Sequence, residues 1–323
     1  MNPTRPHRPS PAAILLVPLA VALVLTLFAW PNARLAPRDL PVGVAGAPAA
    51  AAAVEQRLAA NEGAFEVHRY SDEAAARRAI VDREVYGAFV ATPAGPKVLV
   101  ASAASPAVAQ MLTHAASEGG AATDAGPVPV QDVVAASPAG GALAASVLPL
   151  LIAGLLTGAA AATLASGALA RAGLVVAGSV LAGLVATVIV HSWLDVVQGD
   201  WAANAAVLSL TVLAIASVVA GLEALLGKAG LVVAALTMIL IGNPFSGVGT
   251  APEMLPEPAG AIGQLLPPGA GGNLLRSTGF FDGAAAGEHI TVLVIWALAG
   301  LAALLAAGMR ERRPATARPA VAA

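Results

Sequence analysis

The 323-residue chain has no cysteine, and only 11% of its residues are charged. The first absence excludes disulfides, thiolate metal centres and thiol nucleophiles, so any domain outside a membrane must hold together by packing alone. The second excludes an ordinary soluble domain, in which about 25% of residues are charged. Apolar residues take their place: 58% of the chain is hydrophobic, in blocks close to the ~20 residues a helix needs to cross a hydrocarbon core. The formal net charge of −2 says little about partners, because in such a chain the position of each charge matters more than the sum.

The first apolar block, residues 11–30, follows Arg5 and Arg8 and ends at Pro31. It is longer than the roughly 7–15-residue core of a signal peptide, and no small-residue cleavage site follows, so it reads as a retained anchor. Residues 40–118 have a different texture. A strand over 40–44 is followed by a helix from Pro48 that stops before Gly63, then by a strand in which Phe65 and Val67 alternate with Glu66 and His68. Ser71 is expected to cap a helix whose first turn is acidic and whose inner face carries Ala76, Ala79 and Ile80. Two strands joined across residues 93–95 follow, and Ser105-Pro106 opens a last helix. The order strand, helix, strand, helix, strand, strand, helix defines a small α/β domain. Residues 119–141, rich in Gly, Pro and Ala, read as a linker.

Five more blocks occupy residues 143–168, 174–190, 203–226, 231–241 (extendable to Phe245) and 290–309. The segment between the last two is too rich in Pro and Gly to span and too apolar, with Leu255, Leu265, Leu266, Leu274, Leu275 and Phe280, to be a free loop. A re-entrant or interface-lying segment fits it. Lys and Arg near the span ends set orientation: Arg5, Arg8, Arg171, Lys228, Arg310, Arg312, Arg313 and Arg318 fall on one side by span parity, while Asp195, Asp200, Glu253, Glu257, Asp282 and Glu288 fall on the other. The acidic side carries one cation in its pre-terminal loop, Arg276, and only Arg34 and Arg38 run against that bias.

The expected fold class is therefore an α-helical polytopic membrane protein of six spans with a small extracytoplasmic α/β domain between the first and second. The expected layout is a cytoplasmic N-terminus (1–10), a span (11–30), the α/β domain (40–118), a linker (119–141), four spans (142–245), an extracytoplasmic re-entrant or interfacial segment (246–287), a span (288–309) and a cytoplasmic tail (310–323).

Few residues suggest chemistry. The run from Gly221 to Ala229 has five residues between its glycines, and an alanine after Lys228. A phosphate-binding loop needs four and a Ser or Thr, so no ATP site is expected. His191 stands beside Trp193, Asp195, Asp200 and Trp201, where a proton relay or cation site is conceivable and helix-end anchoring is the ordinary alternative. Glu223, near Lys228, is a membrane-edge carboxylate that is either paired, solvated or functional. The acids of the α/β domain interleave with Arg69, Arg77, Arg78 and Arg83 as a solvated surface. The histidines, His7, His68, His114, His191 and His289, suggest no metal set. No nucleophile elbow or triad spacing occurs, and no enzyme, cofactor or nucleic-acid partner is expected. Gly154, Gly158, Gly167, Gly173, Gly178 and Gly183 give the second and third spans small faces for close helix contact. Asn243-Pro244 reads as a kink or helix end.

Three stretches carry a resemblance. These are Leu40-Pro41-Val42-Gly43-Val44, the run from Ser71-Asp72-Glu73 through Ala79-Ile80 to Phe89-Val90, and the pre-terminal loop with Asn243-Pro244, Leu255-Pro256, Gly263-Gln264-Leu265-Leu266-Pro267, Leu275-Arg276 and Phe280-Phe281. In this order the chain resembles the ABC-2 type permeases of ABC exporters, in the branch similar to phage-infection-protein membrane proteins. The resemblance implies a plasma (inner) membrane permease, a homodimer or heterodimer in the bilayer, driven by a separate ATPase subunit and exporting a hydrophobic or amphipathic substrate. Such permeases usually present a cytoplasmic helix between the second and third spans, where this chain has only a few residues around Arg171. The alternative is a non-transporting anchored protein whose outer domain binds an envelope component or partner. The candidate functional positions are His191, Glu223, Asn243, Pro244, Pro256, Pro267 and Arg276.

Overall fold

A computed structural model describes residues 11–121 and 127–311. Arg5, Arg8 and His7 in the N-terminal segment, and Arg312, Arg313 and Arg318 in the tail, lie outside the described residues.

Helix α1 (Pro11–Ala33) runs past Pro31. A proline in the last turn forfeits only one backbone donor, and the Asn32 side chain turns back to donate to Phe28 O at 2.8 Å. The α/β domain follows as β1 (Leu40–Gly46), α2 (Pro48–Ala59), β2 (Phe65–Tyr70), α3 (Glu73–Val81), β3 (Gly87–Thr92), β4 (Gly95–Val100), α4 (Pro106–Ala121) and β5 (Val130–Asp132). Its sheet has the order β2-β1-β3-β4-β5, with β3 and β4 antiparallel and the other pairs parallel. Strand β5 belongs to the segment read as a linker. Its three residues are too few to register as a periodic pattern, and they are held by parallel pairing of Val98 with Val130 and Val100 with Asp132.

Alternation along the strands sends side chains to two cores. Ala76, Ala79 and Ile80 of α3 pack with Ala45, Ala88 and Leu99 on one face. Val108, Leu112 and Ala116 of α4 pack with Leu40, Val42 and Val98 on the other. The N-cap of α3 is Asp72, one residue beyond the expected Ser71: its backbone is extended and its Oδ1 accepts from Ala75 N at 2.8 Å. Both cores also take in residues from the later part of the chain, Phe281 on the α3 side and Ala251 and Met254 on the α4 side. The domain is therefore seated on that segment.

The bundle comprises α5 (Leu143–Leu164), α6 (Ala168–Thr187, continued as a π-helical stretch Val188–Trp193), α7 (Trp201–Leu226), α8 (Lys228–Leu236, continued likewise over Thr237–Gly242) and α11 (Ala286–Glu311). Between the last two lie the short helices α9 (Ala259–Gln264) and α10 (Pro267–Phe280). Among the described residues five helices, α1, α5, α6, α7 and α11, are long and apolar enough to cross a membrane. The segment Lys228–Gly242 is shorter, and at 1.5 Å per residue it reaches about 22 Å against a hydrocarbon core of about 30 Å.

Helix α7 is the hub. Of its most apolar window 72% is buried, against 28% for α5, α6 and α11 and 6% for α1. Small residues permit this. A Cβ added at Gly154, Gly158 or Gly183 would lie 2.6 Å or less from Ile215, Val219 or Ser209 of α7, and one at Gly300 of α11 would lie 2.3 Å from Ser217. Gly178 faces Thr157 of α5, whereas Gly167 and Gly173 face open space, so the expected small-residue faces are real at four of the six positions.

Candidate functional site

Prolines and glycines in residues 243–285 dictate a broken path. Pro256 and Pro258 hold off a helix until Ala259, and Pro267-Pro268 start α10 at the positions where a missing N–H costs nothing. The glycines then let backbone meet backbone. A Cβ at Gly263 would sit 1.6 Å from Phe245 O, one at Gly260 2.2 Å from Pro252 O, and one at Gly269 2.2 Å from Gly263 O. Helix α10 is thereby buried from Pro267 to Ser277, against α7, α11 and the α/β domain.

This burial encloses polar side chains, which link into one network. Arg276, 2% exposed, donates from Nη1 to Asn273 Oδ1 (2.8 Å) and from Nη2 to Val248 O (2.6 Å). Asn273 Nδ2 donates to Gln264 Oε1 (2.7 Å), and Gln264 Nε2 donates to Ser246 O (2.8 Å). From the α/β domain, Arg83 Nη1 donates to Asn273 O (3.0 Å) and to Ser277 Oγ, with its guanidinium 5.4 Å from the Phe281 ring centre. Arg83 follows α3 with φ +62, a left-handed turn that takes it off the helix surface. Beside it, Tyr86 OH donates to Glu253 Oε2 at 2.9 Å.

Burial pushes the Arg83 pKa down, with Tyr86 and Glu253 opposing. Burial, then Glu253, pushes Tyr86 above its ordinary range. At neutral pH Tyr86 is thus a neutral donor. Two nitrogens at this junction, Arg276 Nε and His289 Nδ1, are buried without a partner among the described residues, an uncommon condition for buried polar atoms. Arg83, Tyr86, Glu253, Gln264, Asn273 and His289 all line one cavity of about 260 Å³ between the α/β domain and the α9–α10 segment.

The sequence-derived positions separate accordingly. Arg276 is in the network. Pro256 and Pro267 shape the breaks on either side of α9. Asn243 and Pro244, both half-buried, end the π-helical stretch after α8 and lead into the turn that Gly263 touches.

Among the described residues His191 makes no ion pair with Asp195 or Asp200 and pairs instead with Asn204, 3.1 Å away. Asn204 in turn accepts from Thr278 of α10 at 2.7 Å, so His191 is tied to the same helix by one intermediary. Asp200 is occupied as the N-cap of α7. Glu223 is remote from this junction and meets Arg171 at 3.5 Å, not Lys228. Among the described residues no group of three or more His, Asp or Glu could hold a metal.

Arg83, Tyr86, Glu253 and His289 escaped the sequence reading because their convergence is tertiary. Gln264 and Asn273 did carry a signal, as isolated amides inside an apolar Gly/Pro-rich run.

The long apolar helices give the chain the makeup of a multi-pass membrane protein. Comparison with known proteins finds no matching family model, no matching curated protein and no matching solved structure.

Proposed function

We propose that the chain is the permease-like transmembrane subunit of an ABC-type exporter for a hydrophobic or amphipathic substrate. It would reside in the plasma (inner) membrane, with six crossings, both termini cytoplasmic and the α/β domain outside. One observation carries this reading: a helix broken by paired prolines, with a buried polar network, is packed into the bundle directly beneath the α/β domain. Irregular backbone at membrane depth is tolerated where protein buries it or it lines a cavity, and transporters place their substrate paths there.

Charge placement supports the orientation, with Arg171, Lys228 and Arg310 at helix ends on one side and Asp195, Asp200 and Glu253 on the other. The exposed apolar faces, including Leu156, Leu181, Val185 and Leu298, suit lipid or a second subunit of a homodimer or heterodimer.

A second reading, an anchored protein that binds an envelope component and does not transport, is favoured by the connections on the basic side. Residues 165–167 join α5 to α6, and Gly227 alone joins α7 to α8, which leaves no connecting helix for an ATPase to grip. Cross-linked purification from native membranes decides between them. The exporter reading expects a nucleotide-hydrolysing subunit whose ATPase rate changes at least twofold when reconstituted with this chain. Recovery of the chain with no ATPase, or with one whose rate is indifferent to it, contradicts that reading.

A further inference from the structure

We infer that the cavity at the domain junction binds a zwitterionic group, an ammonium joined to a phosphate or carboxylate. Opposite charges line this one cavity without pairing. Arg83 is on its wall together with Glu84, Glu253 and Glu288, and among the described residues no ion pair joins Arg83 to any of them.

Each pole is instead held by neutral partners. Arg83 uses Nη1 for Asn273 O and Ser277 Oγ and rests on the Phe281 ring, so its Nε and Nη2 have no hydrogen-bond partner among the described residues. The Glu253 carboxylate receives one bond, from Tyr86 to Oε2, and its Oε1 is free among the same residues. A charged side chain held off its counter-ion in a half-buried cavity forgoes Coulombic stabilisation that is stronger there than in water. A ligand with both charges restores it at both ends, its anionic group on the free face of Arg83 and its ammonium against Glu253 and Glu288.

His289, also on the wall and with Nδ1 unpartnered among the described residues, adds a further polar group to the lining. The cavity opens where α11 begins, since Glu288 and His289 are in its first turn, which is the level of lipid headgroups if α11 spans. The same chemistry comes from a phosphatidylethanolamine headgroup or from a soluble zwitterion. The inference does not depend on transport.

The test uses the purified full chain in detergent and titrates dihexanoyl-phosphatidylethanolamine, dihexanoyl-phosphatidylglycerol and free phosphoethanolamine, with binding read by native mass spectrometry. The ethanolamine lipid should bind at least tenfold more tightly than the glycerol lipid. Arg83→Gln, Glu253→Gln and Glu288→Gln should each weaken it at least fivefold. Glu288 is exposed, so its substitution keeps the test valid even if Arg83→Gln fails to fold. Displacement by free phosphoethanolamine at comparable concentration assigns the site to a soluble zwitterion, and lipid binding that it does not displace assigns it to a headgroup. Equal binding of the two lipids, or unchanged affinity in folded Glu253→Gln and Glu288→Gln, overturns the proposal.

Discussion

Gly263→Ala should lower the recovery of folded protein from membranes at least tenfold. The added methyl would sit 1.6 Å from Phe245 O and 2.4 Å from its carbonyl carbon, and no side-chain rotation relieves a clash with backbone. Either α9 moves away or the turn after Asn243 does. Both also meet neighbouring close approaches at Gly260 and Gly269, so the strain propagates along the broken segment. Overpacking a filled interior costs about 1–3 kcal/mol and occasionally more, and 1.4 kcal/mol is already a factor of ten. Gly173→Ala in α6, where the added methyl meets nothing within 4 Å, is the matched control. Size-exclusion recovery in mild detergent reads the difference, and equal recovery of the two variants would mean that α9 is not seated as described.

Leu274→Asp should be more damaging still, and Leu265→Asp much less so. Leu274 is 1% exposed within α10, whereas Leu265 is 60% exposed at the α9–α10 break. The first change removes about 2 kcal/mol of apolar burial and leaves a buried carboxylate without a counter-ion, which costs several kcal/mol more. The nearest cation on the same helix, Arg276, is already committed to Asn273 and Val248 O. Thermal melts of the purified variants should therefore rank wild type, then Leu265→Asp, with Leu274→Asp giving no cooperative melt. From sequence alone the two leucines are equivalent, because helical phase restarts at Pro267 and cannot be carried across the break.

That contrast marks what the sequence made legible. Long apolar runs announced the bundle helices, since crossing length and composition are local properties. Strand alternation and cap chemistry announced the α/β domain in nearly the right order. Strand β5 is not legible in sequence because three residues have no period of their own and depend on β4 for their hydrogen bonds. In sequence Arg83 reads as one more surface charge, since its left-handed backbone and its reach to Asn273 exist only after the domain is seated. For Glu223 the sequence offers Lys228 as the nearby cation and leaves pairing, solvation and function open, yet Arg171 reaches it from the neighbouring helix. Pairing across helices is a product of packing. The helix breaks at Pro256 and Pro267 are written in single residues, but the polar network between them is not.

Because the chain has no cysteine, one experiment addresses the whole account: single-cysteine labelling of intact cells with a membrane-impermeant thiol reagent. Ala94 on the β3–β4 turn and Gln198 in the α6–α7 connection are exposed, as is Ser166 in the α5–α6 connection, while Ala270 and Leu274 are buried in α10. The account predicts rapid labelling at Ala94 and Gln198, labelling at Ser166 only after permeabilisation, and none at Ala270 or Leu274 until the protein is denatured. Labelling of Ala270 and Leu274 as fast as Ala94 would make the segment a free loop, and labelling of Ser166 in intact cells would invert the topology; either result contradicts a broken helix embedded beneath an outer domain.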